Sequence, residues 1–481
     1  MASDELAALA TRLMTEGGDA RLHLDPATGL NRYHSAPRPA DVLAFASSTA
    51  NDISADAFAQ VQRVLAEIGA EPSPLVYAER LEELRGRIRS AYAIPEDVDV
   101  VFAPSGTDLE YVALACIGEE AGVHNVLLGA DEVGSGCIHS AHGRYFAEET
   151  ALGVTTRPGE PVPGLGGTRV DMIDVPVRDA AGYGRHSFDI AAAIDATLVA
   201  KGARRALVHV VHGSKTGLIL PHLAELDALQ AKHGGALTFV VDACQARITS
   251  SAVRDYLARD AIVFVTGSKF MGGPPFSGFA LVPTGLAARA PSLPSGLATV
   301  FRRAEWPEGW RSREQLPDTS NVGLLLRLEA SIFELERFQA LDPAAVERVV
   351  LAFHAAVRRE IVEALGVRRV APYPTGEREE ADTHPIEMRT LSTLDLTALG
   401  GATFEQAQGW HKALLRHGVR LGQPVKCVRL PDGSWGATLR VGLSMPQVFE
   451  RAGFGDQELA TEFGKDMKQV ADALASVSRG T

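Results

Sequence analysis

A chain of 481 residues, 46% of them hydrophobic and with 46 glycines, is long enough for a large buried core plus a second α/β unit, and this composition excludes disordered, fibrous and collagen-like classes. The 60 acidic residues outnumber the 47 basic ones and give a formal charge of -13, which opposes attraction to phosphate backbones or anionic lipid, so neither nucleic acid nor membrane is expected as a partner. Met1–Leu6 carries acids where an export signal carries bases, and no apolar run approaches membrane length, so the expected location is cytoplasmic.

Residues 1–45 read as an N-terminal arm, with a helical start followed by turns at Asp25–Gly29 and Ala36–Pro39. Ser54 then precedes Phe58, Val61, Leu65 and Ile68, spaced three and four apart and closed by Gly69, the pattern of a capped amphipathic helix. Short apolar strand candidates follow at Val98–Ala103, Asn125–Gly129, Ala206–His212, Leu237–Asp242, Ala261–Gly267 and Phe279–Pro283, most of them separated by helical patterns. This alternation predicts βα units and a mainly parallel sheet. Residues 151–187, rich in Gly, Pro and Asp, read as a surface excursion or hairpin insertion. A helical stretch from about Asn321, broken at Leu341-Asp342-Pro343, leads to a helix over Ala345–Leu365. Strands at Met388–Leu396 and Ala437–Leu443, with helices at 404–417 and 456–477, then predict a smaller C-terminal α/β domain. The expected division is an arm over 1–45, a large domain over 46–330 and a small domain over 331–481. Cys116, Cys137, Cys244 and Cys427 are scattered, with no zinc-ligand spacing, so neither disulfides nor a metal site is expected.

Four segments carry chemistry. Ser105-Gly106-Thr107 follows a strand and opens a helix, where backbone N–H groups and small hydroxyls can cradle a phosphate; taken alone, the segment reads first as an ordinary N-cap turn. Asp242 closes an apolar strand, at the sheet end where ligands bind, and Gln245 follows three residues later. Lys269 lies 27 residues beyond Asp242 at another strand end, with Thr266 and Ser268 before it and Gly272-Gly273-Pro274-Pro275 after it, an environment able to desolvate an amine into a nucleophile. Arg440 sits among apolar residues of a C-terminal strand, suited to hold a carboxylate or to pair structurally with an acid.

In this order the segments resemble those of fold-type-I enzymes dependent on pyridoxal 5′-phosphate (PLP), and more narrowly the class V aminotransferase and cysteine desulfurase group. The resemblance spans roughly residues 45–445 and rests on short motifs. It implies a PLP-dependent transferase fold of type I, with a mainly parallel seven-stranded sheet between helices and a smaller C-terminal α/β domain. It further implies that Lys269 carries the cofactor as a Schiff base, that Asp242 partners the pyridine nitrogen and that Gln245 contacts the 3′-oxygen. Ser105, Gly106, Thr107, Thr266 and Ser268 would hold the phosphate, and His212 or Ser214 would face the ring edge. The ring-stacking residue falls among Ser135, His139 and His142, with His139 chosen on spacing. Thr319, in a stretch resembling Gly-Thr-x-Asn but with Asp318 for the Gly, would reach the phosphate of a second subunit, which implies a homodimer with shared active sites.

The implied reaction passes an amino acid through an external aldimine, with Lys269 as the proton carrier and Arg440 on the substrate carboxylate. Transamination is the leading expectation. Elimination, replacement or carbon–carbon bond formation shares the early steps, and sulfur mobilisation would need a reactive thiol such as Cys427, 13 residues before Arg440 and beside Lys426. A phosphate- or nucleotide-binding protein and a cofactor-free scaffold of the same fold are the non-catalytic alternatives.

Overall fold

The computed structural model describes residues 3–118, 122–130, 132–133, 136–165, 169–202, 204–372 and 390–479. Within them the strands, in chain order, are β1 (Leu43–Phe45), β2 (Asp99–Ala103), β3 (Val123–Leu128), β4 (Val170–Val175), β5 (Arg205–His212), β6 (Ile219–Leu220), β7 (Leu237–Ala243), β8 (Ile262–Thr266), β9 (Gly278–Val282), β10 (Arg368–Val370), β11 (Leu391–Asp395), β12 (Val419–Leu421) and β13 (Thr438–Gly442). Seven of these form the main sheet in the order β2-β9-β8-β7-β5-β3-β4, and β6 adds a short antiparallel bridge to β5. β9 runs against both of its neighbours, and every other adjacent pair in the seven is parallel.

Both faces of this sheet are covered. Val100 and Phe102 of β2 and Phe239 and Val241 of β7 belong to the core on one side, whereas Val101, Ala103 and Val240 belong to the core on the other. Period-two alternation therefore sends apolar side chains both ways, which is why these strands read as continuous apolar runs. The small C-terminal sheet is antiparallel, in the order β10-β11-β13, with Thr393 opposite Arg440. Helix Asp456–Arg479 buries Leu459, Phe463, Met467, Val470 and Leu474 at steps of three and four, the stripe that docks it onto this unit.

Folding adds detail at three places that the sequence pattern leaves open. The first 45 residues are built into both units: Ala10, Leu13 and Met14 pack with Ala57, Val61, Leu65, Leu326 and Ala330, while β1 pairs in parallel with β12. The excursion over 151–187 contains β4, the edge strand of the main sheet, because Val170–Val175 finds a parallel partner in β3. The boundary expected after residue 330 falls inside the unbroken helix Val322–Gln339, whose N-cap Asn321 accepts from the Leu324 N–H. Of the strand expected over Met388–Leu396, Leu391–Asp395 is observed, and its first residues, Met388 and Arg389, lie outside the described residues. No helix among the described residues is long and apolar enough to cross a membrane.

Candidate active site

The C-terminal ends of β2, β5, β7 and β8 open on one cavity of about 400 Å³, in the place where a parallel sheet presents its ligands. Ser105, Gly106 and Thr107 turn the chain from β2 toward helix Leu109–Ile117 and line this cavity. A Cβ at Gly106 would stand 2.6 Å from Thr266 Cγ2, so glycine lets the turn close against the end of β8. Ser105 Oγ donates to Asp108 Oδ2 at 2.6 Å, and burial lifts the Asp108 carboxyl to about 7.

Asp242 lines the cavity at the end of β7, where its Oδ1 accepts from the Cys244 N–H at 2.9 Å. Thr266 Oγ1 donates to Cys244 O at 2.6 Å, which locks the two strand ends together. Gln245 is fixed from both sides: its Nε2 donates to Ser48 O at 3.3 Å and its Oε1 accepts from Arg247 Nη1 at 3.0 Å.

The loop after β8 aims the lysine. Asn51 Nδ2 donates to Ser268 O at 3.2 Å and Lys269 O at 2.5 Å. Gly267 and Gly273 press on Ser331, where added Cβ atoms would lie 2.2 and 1.9 Å from its Oγ. Lys269 is thus turned into the cavity, its Nζ donating to Thr49 O. Burial, and after it the Arg440 cation, lower the amine's pKa from 10.5 to about 7, so much of it is uncharged near neutrality.

Arg440 is buried on β13 and faces the same cavity. Its Nε donates to Gln423 O at 2.9 Å, its Nη1 to Ser48 O at 3.1 Å and Lys215 O at 3.4 Å, and its Nη2 to Thr49 Oγ1 at 3.0 Å. Four of the five guanidinium N–H groups thus have acceptors, and a bidentate grip on a carboxylate must displace at least one of them.

Ser214 reaches the cavity and donates to Glu132 Oε2 at 2.7 Å. Glu132 also accepts from Arg178 Nε at 2.6 Å and Thr216 Oγ1 at 3.0 Å. Burial acts to raise this carboxyl, but Arg178 and the two hydroxyls outweigh it and hold it low.

Several expected residues stand elsewhere. His212 is not a cavity residue: it is buried with Nδ1 3.0 Å from Tyr256 Oη, and burial lowers it to about 4. His139 is exposed on the short helix Cys137–Ala141, and neither it nor His142 lines the cavity; from that segment Glu132, Val133 and Cys137 do. The short helix turns its Cys137 side inward and its His139 side to solvent. Ser135 lies outside the described residues. Thr319, expected at the phosphate of a second subunit, is exposed and does not line this chain's own cavity; the neighbouring Asp318 pairs with Arg303 at 3.0 Å. Cys427 is buried, and burial pushes its thiol up to about 12, away from the reactive thiolate that sulfur mobilisation would need.

Arg21, Tyr33, Thr49, Glu110, Glu132 and Phe276 also contribute to the cavity wall, and they lie outside the four segments that carry the chemistry in the sequence. Glu132 lies four residues beyond the end of β3, close to the Ser135–His142 stretch weighed for ring stacking.

No protein-family model and no curated protein sequence matches the chain. Solved structures do match in fold. A NifS-like protein from Rickettsia africae aligns over 91% of this chain and 99% of its own, with TM-score 0.57 and 12% identity. The cysteine desulfurase of Thermococcus onnurineus covers 90% and 95%, with TM-score 0.56 and 17% identity. An aspartate aminotransferase from Thermus thermophilus covers 89% and 98%, with TM-score 0.52 and 16% identity. The chain therefore has the fold of the type-I PLP-dependent transferases.

Proposed function

We propose that this chain is a PLP enzyme acting on an amino acid, and that its reaction is transamination. One observation carries the reading: a lysine amine lowered to about 7 shares a cavity with a strand-end carboxylate, a glycine-hydroxyl turn and a buried arginine. These residues fit the cofactor. Lys269 is the covalent attachment, Asp242 the partner of the ring nitrogen, and Gln245 and Ser214 the neighbours of the ring edge. Ser105, Gly106, Thr107, Thr266 and Ser268 receive the phosphate.

When bound, PLP supplies an electron sink for the charge left on a substrate carbon as one of its bonds breaks. The chain's own residues do the rest. Asp242 holds the proton on the ring nitrogen. Lys269, as a free amine, would take the proton from the substrate Cα, and its lowered pKa would leave it able to do so near neutrality. Arg440, itself held by Gln423, Ser48 and Thr49, fixes the substrate carboxylate and so chooses which bond stands ready to break. The burial of Cys427 argues against sulfur mobilisation through that thiol. A homodimer in which the exposed Thr319 reaches the phosphate of a second subunit belongs to the same proposal.

An absorption scan with PLP tests the cofactor. A visible band that borohydride abolishes, with the label mapped to the Lys269 peptide, is expected; the same linkage in Lys269→Ala would overturn the assignment. A panel of amino acids then tests the reaction: keto acid release, reversed by a keto acid acceptor, is expected. Release of sulfide or of an elimination product alone removes transamination and leaves the cofactor in place.

A further inference from the structure

We propose that Arg21, carried in by the N-terminal arm, is an anchor for the cofactor phosphate, so that the arm makes this site selective for phosphorylated over unphosphorylated pyridoxal; the inference rests on the PLP reading above. Arg21 belongs to the single turn Ala20–Leu22, far in sequence from every motif that defines the cavity, yet it lines that cavity. Its Nη2 lies 3.1 Å from Ser105 Oγ and its Nη1 3.3 Å from Thr107 Oγ1, the two hydroxyls of the β2 turn.

The guanidinium is preorganised from three directions. Asp19 grips it bidentately, Oδ1 taking Nε at 2.8 Å and Oδ2 taking Nη2 at 2.7 Å. Phe276 and Phe146 cover it, with ring centroids 4.4 and 5.0 Å from Cζ. Phe276 follows Lys269 by seven residues, so the same loop supplies the attachment amine and the aromatic floor beneath Arg21. Asp19 occupies Nε–H and one Nη2–H, and the Ser105 and Thr107 hydroxyls take the other Nη2–H and one Nη1–H, so a phosphate seated in the turn meets this side of the fork by joining or replacing those two hydroxyl contacts.

The turn needs such a cation. The proton of Ser105 is already given to Asp108 at 2.6 Å, so that hydroxyl is not a free donor to a phosphate. Thr107 accepts from Arg21, which leaves its own O–H to point at an anion. Backbone N–H groups and one hydroxyl are neutral, whereas a phosphate monoester carries close to two negative charges. The high pKa of Asp108 fits the same picture, since a carboxyl that protonates readily is not a fixed opposing charge.

The test titrates apo-protein with PLP and, separately, with pyridoxal, following the absorption change of the aldehyde. Arg21→Met removes the charge and keeps the length. Loss of a charge-assisted contact predicts at least about tenfold weaker PLP binding, with pyridoxal binding unchanged within about twofold, and Arg21→Lys in between. An equal loss for both ligands shows that Arg21 only shapes the pocket and overturns the proposal, as does unchanged PLP binding. Should Arg21→Met not fold, Arg21→Lys decides by the same criterion, a loss confined to PLP. Wild-type protein that binds neither ligand overturns the PLP reading itself.

Discussion

Lys269 shows how one side chain's surroundings define its chemistry and what they cost the fold. Its amine is lowered from 10.5 to about 7 by burial and by Arg440. A lysine whose folded pKa is depressed is charged in the unfolded chain and uncharged in the folded one between those values. The unfolded state then binds the extra proton, so stability of the apo-protein rises with pH from about 7 to 10.5. Below pH 7 the folded protein carries the buried charge at full cost. Lys269→Met is therefore expected to be more stable than wild type at pH 6, by on the order of 5 kcal/mol, with the gap closing toward pH 10. Urea unfolding of both apo-proteins at pH 6 and 9.5 measures this. A gap independent of pH would mean the amine is not desolvated, and the rate of cofactor attachment would then lack the rise through pH 7 that a neutral nucleophile requires.

Strand ends and loops divide the site into a part that could be read and a part that could not. Asp242 and Lys269 were legible because strands buried on both faces announce themselves as unbroken apolar runs, and a polar residue ending such a run must face something. The direction of a five-residue helix leaves no such mark, and His139 consequently points to solvent while Val133 and Cys137 face the cavity. Nor does local pattern reveal Arg21, whose contact with Ser105 spans 84 residues. The excursion over 151–187 carries a similar hidden contribution: Arg178 reaches back to Glu132 at 2.6 Å, with side chains only 10% and 5% exposed. Arg178→Ala leaves a buried carboxylate without its cation and is expected to cost about 3–5 kcal/mol at pH 7. Because Glu132 is held below its ordinary value, its share of stability is present above pH 4.5 and fades as pH falls through the lower, folded value. The Arg178→Ala protein should therefore lose less stability than wild type between pH 7 and 4. Pairing it with Glu132→Gln should recover most of the loss in urea melts; no recovery would show that Arg178 acts by packing alone.

Across the whole molecule the cavity draws its walls from three stretches of chain far apart in sequence. Arg21 and Tyr33 come from the arm, Asp242 and Lys269 from the large sheet, and Phe404, Gln423 and Arg440 from the C-terminal unit. A ligand seated there bridges all three, and its binding free energy becomes stability of their arrangement, about 4 kcal/mol at a thousand times its dissociation constant. The arm's hold depends on Arg327, which is buried and donates to Met14 O at 2.9 Å, Glu16 O at 2.6 Å, Gly17 O at 3.1 Å and Phe276 O at 2.6 Å. Those carbonyls lie just before Asp19 and beneath the ring that floors Arg21. Arg327→Met strips the donors from them and is expected to open the arm to proteases between residues 19 and 33 in the apo-protein, where wild type resists. Added PLP should slow that cleavage in both proteins and restore more protection to the variant, because the phosphate supplies through Arg21 a tether that Arg327 no longer does. Digestion followed by mass mapping, with and without PLP, gives the answer. Cleavage in this segment that ignores both the variant and the cofactor would show that the arm is not coupled to the site.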